Sequence, residues 1–375
     1  MTYEESILDK IISTQQANII NEFDPKEIVI SLIQPLSSRE MEVITLRHGL
    51  DLKGKKTLEK IGNQFNVTRE RIRQIENSAI KKIKKSPELS EKIGTVKNVF
   101  QQTLEKHGGI MLEELLLEKT LSNVGVNEEN KIYVSFILSQ LLSDQLNYVP
   151  ESDQLHAAWK LPSASVESLI SLLELTLKTI KEINEPVPLS DIHARLVNNY
   201  KHQLLEELTE DILLSYLHLS KYTEQNPYKE WGMADWNTVT LKKISDKVYL
   251  VLKKEGQPLH FTAIADKINE TGFDQKIANP ATIHNELILD DKYVLVGRGM
   301  YALSEWGYKP GTVAEVITDI LKNSEKPLSK NEIIAKVLEN RLVKKSTIIL
   351  ALMDKSRFTK TAQGHYALAA NATGD

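Results

Sequence analysis

The chain has 375 residues with a formal net charge of −4, and 41% of its residues are hydrophobic while 26% are charged. These values are ordinary for a globular protein, and the length indicates several domains. The chain contains no cysteine, which excludes disulfides, thiolate zinc sites and thiol catalysis. The N-terminus is acidic, and the sequence has no run of about eighteen apolar residues, so we expect neither a signal peptide nor a membrane span. A cytoplasmic location is expected.

Residues 1–35 are predicted to be an N-terminal helical segment, and a clear helix start follows them. Ser37 and Glu40 have the spacing of a capping box, in which each side chain bonds to the backbone N–H of the other residue. The sequence therefore predicts a separate helical domain over residues 36–87.

A glycine-containing stretch follows the first predicted helix of this domain. Gly49, Gly54 and Lys55 match most of a phosphate-binding P-loop. The next residue is Lys56, where a P-loop has a serine or threonine that binds magnesium. The residues before Gly49 are also typical of a helix rather than a strand. We therefore interpret this stretch as a linker between two helices.

Residues 57–85, TLEKIGNQFNVTRERIRQIENSAIKKIKK, have the pattern of a helix, a tight turn and a basic helix. Thr57 and Thr68 can cap the two helices, and Asn66 with Val67 can form the turn. In the second helix, an apolar stripe lies opposite a polar outer face. The stripe consists of Ile72, Ile75, Ala79 and Ile83, and the outer face of Glu70, Gln74, Asn77 and Lys81. Such a helix fits the DNA major groove.

Three motifs extend this pattern: LSSREMEVI from Leu36, RHGLD from Arg47 and VTRERIRQIE from Val67. Together they resemble region four of a bacterial housekeeping-type sigma factor, which reads the −35 promoter element and docks on RNA polymerase. The resemblance covers Leu36 to Lys85. It implies that bases are read by Arg69, Glu70 and Gln74. It assigns contacts with phosphates or partner proteins to Arg71, Arg73 and Lys81.

Charge separates this domain from the rest of the chain. Residues 36–86 contain thirteen lysines and arginines against six acidic residues, a balance of +7, so the remaining residues together carry −11. We expect nucleic-acid affinity to be concentrated in this domain and to fall steeply with salt. The acidic remainder would keep the protein soluble or contact basic protein surfaces.

The sequence beyond residue 87 contains an internal repeat with a period of about seventy residues. Leu189, Leu259 and Leu328 each end a proline-containing turn and precede an amphipathic helix, at spacings of 70 and 69 residues. A weaker first copy surrounds Leu112. The repeat predicts four winged-helix-like units, at residues 95–162, 163–236, 237–308 and 309–370.

The third and fourth units have the clearest wings. In the third, strand-like runs at 293–296 and 300–303 flank Gly297-Arg298-Gly299, a composition typical of a tight hairpin. In the fourth, runs at 358–361 and 365–368 flank a turn in the same way. The predicted fold class is therefore mainly α with small β-hairpin wings: a helix-turn-helix domain followed by tandem winged-helix repeats.

Residues 281–308 of the third unit resemble the HARE-type helix-turn-helix module, whose family includes the N-terminal domain of the RNA polymerase delta subunit. Arg298, at the tip of this wing, is the best additional candidate DNA contact, although a solvent-exposed turn arginine is an open alternative. Further candidates on the recognition helices of the last two units are Asn279, Thr282, His284, Asn285, Lys344, Lys345 and Ser346. The candidate DNA contacts that we select are Thr68, Arg69, Glu70, Arg71, Arg73, Gln74, Asn77, Lys81 and Arg298.

The favoured function is a sequence-specific DNA-binding transcription regulator that reads −35-like double-stranded DNA, with RNA polymerase core as a second candidate partner. Only Tyr3 and Phe23 are aromatic before the region-four-like domain, so we expect a sigma-like chain without region two. One alternative is a delta-like or anti-sigma-like accessory factor of RNA polymerase. Another is a DNA-targeting subunit of a DNA-modifying system. No metal-binding or nucleophile motif is recognisable, so we expect no enzyme, metal, cofactor, small-molecule substrate or membrane partner.

Overall fold

The computed structural model describes residues 23–369 except 123, 203–207, 275, 309, 310 and 325. Most of the predicted N-terminal helical segment therefore lies outside the described residues. The chain divides into two compact units, Met1–Glu224 and Gln225–Asp375. Among the residues that the structure describes, no helix combines the length and apolar character needed to span a bilayer.

The first unit is mostly helical. Its first four helices are α1 (Pro25–Ile33), α2 (Ser38–His48), α3 (Leu58–Phe65) and α4 (Arg69–Lys84). The next elements are α5 (Pro87–Lys106), β1 (Ile110–Leu112), α6 (Glu113–Thr120), α7 (Glu128–Phe136), a π-helical turn (Ile137–Leu141), β2 (Asn147–Val149) and β3 (Ala158–Lys160). The last helices are α8 (Val166–Ile183), α9 (Leu189–Tyr200) and α10 (Glu210–Leu219), and the strand β4 (Thr223–Gln225) crosses the division at residue 224.

In the second unit, three-helix groups alternate with short strands. After β5 (Trp231–Met233) come α11 (Ile244–Glu255), β6 (Leu259–His260), α12 (Phe261–Thr271), α13 (Pro280–Leu289), β7 (Tyr293–Gly297), β8 (Met300–Leu303) and a 3-10 turn (Ser304–Trp306). The second group comprises α14 (Val313–Lys322), α15 (Lys330–Asn340), α16 (Lys345–Ala351), β9 (Phe358–Lys360) and β10 (Tyr366–Leu368).

The sheets are small and antiparallel. In the first unit β3 pairs with both β1 and β2, and in the second unit β9 pairs with β10. β8 lies between β7 and β6. The mainly α fold class with small antiparallel strand pairs is confirmed, and both predicted hairpins form where expected. The strand β6 was not predicted, because two residues are too few to show the alternation that marks a strand.

Hydrophobic clusters show which elements fold together. In the first unit, one cluster joins Ile44 and Ala79 of α2 and α4 to Phe100 of α5 and Leu138 of the π-helical turn. In the second unit, one core contains α11–α13 with β7 and β8, and another contains α14–α16 with β9 and β10. The limits of the individual domains stay predictions, at residues 36–87, 95–162, 163–236, 237–308 and 309–370.

Candidate nucleic-acid interface

The apolar stripe of α4 is the predicted one, since Ile72, Ile75, Ala79 and Ile83 are all buried. The first half of the stripe shares a small core with Val43 and Ile61 of α2 and α3. The second half belongs to the large cluster of the first unit. Because apolar burial holds α4 along its whole length, the opposite face has one defined orientation.

A tight turn joins α3 to α4. Asn66 ends α3 with a left-handed φ of 53°, a conformation that asparagine tolerates better than most residues. A Cβ added to Gly62 would lie 2.7 Å from the carbonyl oxygen of Val67, so only glycine allows this approach. Thr68 Oγ1 then accepts a hydrogen bond of 3.2 Å from the backbone N–H of Arg71, as predicted for an N-cap.

The linker before α3 is not a phosphate-binding loop. Helix α2 begins with the predicted capping box of Ser37 and Glu40 and ends at Gly49, which has a left-handed φ of 72°. Thus a helix, not a strand, precedes Gly49. The backbone N–H of Lys56 donates to the carbonyl of Leu46 over 2.9 Å, which folds the linker back onto α2.

Two ion pairs anchor the C-terminal half of α4. Lys82 Nζ lies 2.6 Å from Glu40 Oε1, and Lys84 Nζ lies 2.8 Å from Asp144 Oδ2. The hydrogen bond from Lys82 lowers the pKa of the Glu40 carboxyl, although burial acts in the opposite direction. A hydrogen bond of 3.2 Å from Tyr133 OH of α7 to the carbonyl of Leu50 ties the linker after α2 to the following segment.

A third carboxylate holds the middle of α4. Glu76 Oε1 lies 3.4 Å from both Arg47 Nε and His48 Nε2 at the end of α2. Burial raises the pKa of Glu76, but the contacts with His48 and Arg47 outweigh it and leave the pKa lowered. Sequence reasoning missed these anchoring ion pairs, because the two partners of each pair lie far apart along the chain and leave no local signal.

The structure brings eight of the nine selected candidates together, seven on α4 and Thr68 at its N-cap. All eight are exposed and lie away from the buried stripe: Thr68, Arg69, Glu70, Arg71, Arg73, Gln74, Asn77 and Lys81. We call this surface the outer face of α4. Its side chains offer cationic donors, an amide and a carboxylate, which are the groups that bond to phosphates and base edges.

Some side chains of the outer face are paired with each other. Arg73 donates two hydrogen bonds to the Glu70 carboxylate, of 2.9 and 2.7 Å, and this contact lowers the pKa of Glu70. Arg71 Nη1 donates to Gln74 Oε1 over 3.1 Å. Among the described residues, the side chains of Arg69, Asn77 and Lys81 have no hydrogen-bond or ion-pair partner. The outer face of α4 therefore contains both side chains that bond to each other and side-chain donors that are free to bind a ligand.

The ninth candidate, Arg298, lies in the second unit. It is exposed in the turn between β7 and β8, beside Gly299, which has a φ of 69°. Asn279 lies at the start of α13, where its Oδ1 accepts from the backbone N–H of Ala281 over 2.9 Å. The ring of His284 lies 4.6 Å from that of Phe261 and is half-buried.

Comparison with known proteins bears on the segment that contains α2–α4. The family model for Sigma-70, region 4 matches residues 32–85. These residues are a sigma-70 region 4 domain. The match includes the outer face of α4 and the anchors Glu40, Lys82 and Lys84. The HARE-type resemblance of residues 281–308 and the winged-helix repeats stay predictions.

Several sigma factors are similar to this part of the chain. RNA polymerase sigma factor SigA of Clostridium acetobutylicum is 47% identical over 68 residues, which are 18% of each chain. RNA polymerase sigma factor RpoD of Helicobacter pylori is 45% identical over 83 residues, 22% of this chain and 12% of that protein. SigA1 of Synechococcus elongatus is 52% identical over 59 residues, 16% of this chain and 15% of that protein.

The chain thus spans less than a fifth of the length of each of these relatives. The likeness to sigma factors therefore concerns one domain of this chain, at residues 32–85. Among the described residues, no group of three or more histidine, aspartate or glutamate side chains could hold a metal ion.

Proposed function

We propose that the protein is a sequence-specific transcription regulator that places α4 in the major groove of −35-like, promoter-type double-stranded DNA. We also propose RNA polymerase core as a partner, because the similar proteins are RNA polymerase sigma factors. The single observation that carries the proposal is the outer face of α4. Its polar side chains lie opposite a buried apolar stripe, so one side of the helix is held while the other meets DNA.

The roles on the outer face follow from side-chain chemistry. Arg69 has a free guanidinium in the first turn of α4, where a recognition helix meets base edges, and arginine pairs with guanine in bidentate fashion. Gln74 has an amide that can pair with adenine, and Glu70 can accept from cytosine. Phosphate contacts are assigned to Arg71, Arg73 and Lys81, and flanking backbone contacts to Thr68 and Asn77.

A second candidate function is an RNA polymerase accessory factor that binds protein through this domain without reading promoters. One observation favours it: the C-terminal half of α4 shares its core with the segment that follows, so the domain is built into a larger helical body. In neither function do we propose a catalytic role for the chain.

Binding of the whole chain to short duplexes separates the two functions. We would measure fluorescence anisotropy with a −35-like duplex and with a scrambled duplex of equal composition, in the absence of polymerase. The first function requires tighter binding to the −35-like duplex at every salt concentration. Equal affinity for both duplexes, together with capture of core polymerase, would replace it with the second function.

A further inference from the structure

The wing of one three-helix group contacts the segment that leads into the last helix of the next group. In the second unit, the backbone N–H of Leu342 donates to the carbonyl of Val296 in β7 over 3.0 Å. A Cβ added to Gly297 would lie 2.6 Å from the carbonyl oxygen of Leu342. Residue 342 therefore packs directly on the edge of β7, at the point where the wing turn begins.

Arg341 fixes the same junction. Its guanidinium donates to the backbone carbonyls of Leu295 and Gly311, and the residue is only 4% exposed. Burial lowers the pKa of this guanidinium. A buried cation that bonds to backbone on both sides of a junction holds the two groups in one arrangement.

This junction brings three exposed cations into one neighbourhood. Arg298 follows Gly297 directly in the wing turn, and Lys344 and Lys345 follow Leu342 by two and three residues. An extended chain covers at most roughly 3.3–3.6 Å per residue. Because only one to three residues separate each of these cations from the contact between Gly297 and Leu342, all three cations lie near that contact. None of the three forms an ion pair with a residue that the structure describes.

Charge supports the neighbourhood as a site for an anion. Residues 237–308 contain nine basic and nine acidic residues, whereas residues 309–370 contain eleven basic and six acidic residues. Two carboxylates of the last group, those of Glu315 and Glu332, are already used in helix capping boxes. From Lys344 to Met353 the sequence has no acidic residue, so little opposes the charge of the two lysines.

We propose that Arg298, Lys344 and Lys345 form one composite site that binds the phosphate backbone of duplex DNA without reading its sequence. The proposal rests on the proposed function, since DNA held by α4 is what brings flanking duplex within reach. Phosphate oxygens accept from arginine and lysine in charge-assisted hydrogen bonds. Tethering to α4 raises the effective concentration of this weak site without changing sequence preference.

The test uses the whole chain and two duplexes: a short one with only the −35-like element, and a long one with the same element in random flanks. The variants are Arg298→Gln and the double variant Lys344→Gln/Lys345→Gln. The matched control is Lys322→Gln/Lys326→Gln, which removes two exposed lysines from the same group outside the site. Thermal melting followed by circular dichroism verifies that each variant is folded.

The expected result is a smaller salt dependence on the long duplex alone. Each lost phosphate contact lowers the slope of log affinity against log salt by about 0.9, so the double variant loses about 1.8. Between 50 and 200 mM salt, wild type should then lose roughly 12-fold more affinity than the double variant, and roughly 3.5-fold more than Arg298→Gln. The short duplex should bind all variants equally.

Three outcomes would overturn the site. These are an unchanged salt slope in the double variant, an equal change in the control, and loss of polymerase capture without loss of DNA binding. Failure of the proposed function looks different: the short −35-like duplex would bind no better than its scrambled version. The composite site would then persist as a salt-sensitive contact on long DNA.

Discussion

Helices α4 and α13 both pack on the helix that precedes them but expose different side chains. Both begin at a side-chain cap, Thr68 in one and Asn279 in the other, and both bury an apolar stripe. The outer face of α4 carries cations, an amide and a carboxylate. The exposed residues of α13 include Ile288 and Leu289, which are 62% and 81% exposed, and no lysine or arginine. The two helices are capped and packed in similar ways, so the exposed side chains decide what each helix can bind.

The largest effect on DNA binding is expected when Arg69, the first free donor of α4, is removed. Arg69→Ala should weaken the binding free energy for specific DNA by roughly 1–3 kcal/mol, because a base edge loses its bidentate hydrogen-bond partner. The loss on scrambled DNA should be much smaller. Asn285→Ala on α13 is the matched control, and it should leave the affinities for specific and for scrambled DNA unchanged. Anisotropy titrations on both duplexes measure this. Equal losses for Arg69→Ala on the two duplexes would show that Arg69 does not read bases.

Gly62→Ala tests whether the tight turn between α3 and α4 is needed for stability and for DNA binding. The added Cβ would meet the Val67 carbonyl at 2.7 Å, so the turn must shift, at an expected cost of about 1–3 kcal/mol in unfolding free energy. Specific DNA binding should fall in parallel. Gly94→Ala is the control, since a Cβ there has open space. Chemical denaturation gives the answer, and an unchanged midpoint for Gly62→Ala would contradict the tight turn.

The two N-caps should behave alike in stability and differently in binding. Thr68→Ala and Asn279→Ala each remove a side-chain acceptor at a helix start, which costs about 1 kcal/mol. Only Thr68→Ala should weaken DNA binding, because only α4 has the polar outer face. Thermal melts and anisotropy on the −35-like duplex separate these effects. A comparable loss of specific binding with Asn279→Ala would mean that α13 also reads DNA.

Acid should weaken the attachment of α4 to α2, because it protonates Glu40 and removes its ion pair with Lys82. Its pKa is lowered in the folded protein, so its stabilising effect is present above the usual carboxyl pKa of about 4.3 and is lost as pH falls through the folded pKa. Glu40→Gln should therefore lower stability near neutral pH and flatten its decline below about pH 4.3. Glu88→Gln, an exposed change, serves as control. Identical acid profiles for wild type and Glu40→Gln would rule out this anchor.

The smallest effect on DNA is expected from the apolar side chains of α13. Ile288→Gln combined with Leu289→Gln removes two exposed hydrophobic residues and should leave affinity for short and long duplexes unchanged. The physical reason is that these side chains provide no donor for phosphate. A clear gain or loss of affinity on either duplex would show that α13 lies at the DNA and that its surface was misinterpreted.

Local chemistry made much of α4 predictable. The caps Thr57 and Thr68, the turn at Asn66 and the buried stripe all depend on residues within a few positions, where sequence periodicity is informative. The outer face followed from the same periodicity. The wing hairpin around Arg298 was predictable for a similar reason, since glycine on both sides permits a tight turn.

Long-range contacts were not predictable. Lys82 and Lys84 contribute to the basic character of α4, but nothing near them in sequence indicates that Glu40 and Asp144 hold them. The burial of Arg341 is a further example, because arginine is seldom fully buried and its partner Leu295 lies in a different three-helix group. Such contacts depend on how elements pack, which a single sequence does not show.

The shared core between α4 and the following segment has a consequence for cooperativity. Ala79 and Ile83 are buried in the same cluster as Phe100 and Leu138. The hydrophobic core therefore continues from α4 into the following segment without a break. Amide hydrogens in the C-terminal half of α4 should therefore exchange with solvent together with those of α5 and α7, as one opening unit. A fragment that ends at residue 87 would expose this cluster to water, and its DNA affinity would report on partial unfolding as well as on base contacts.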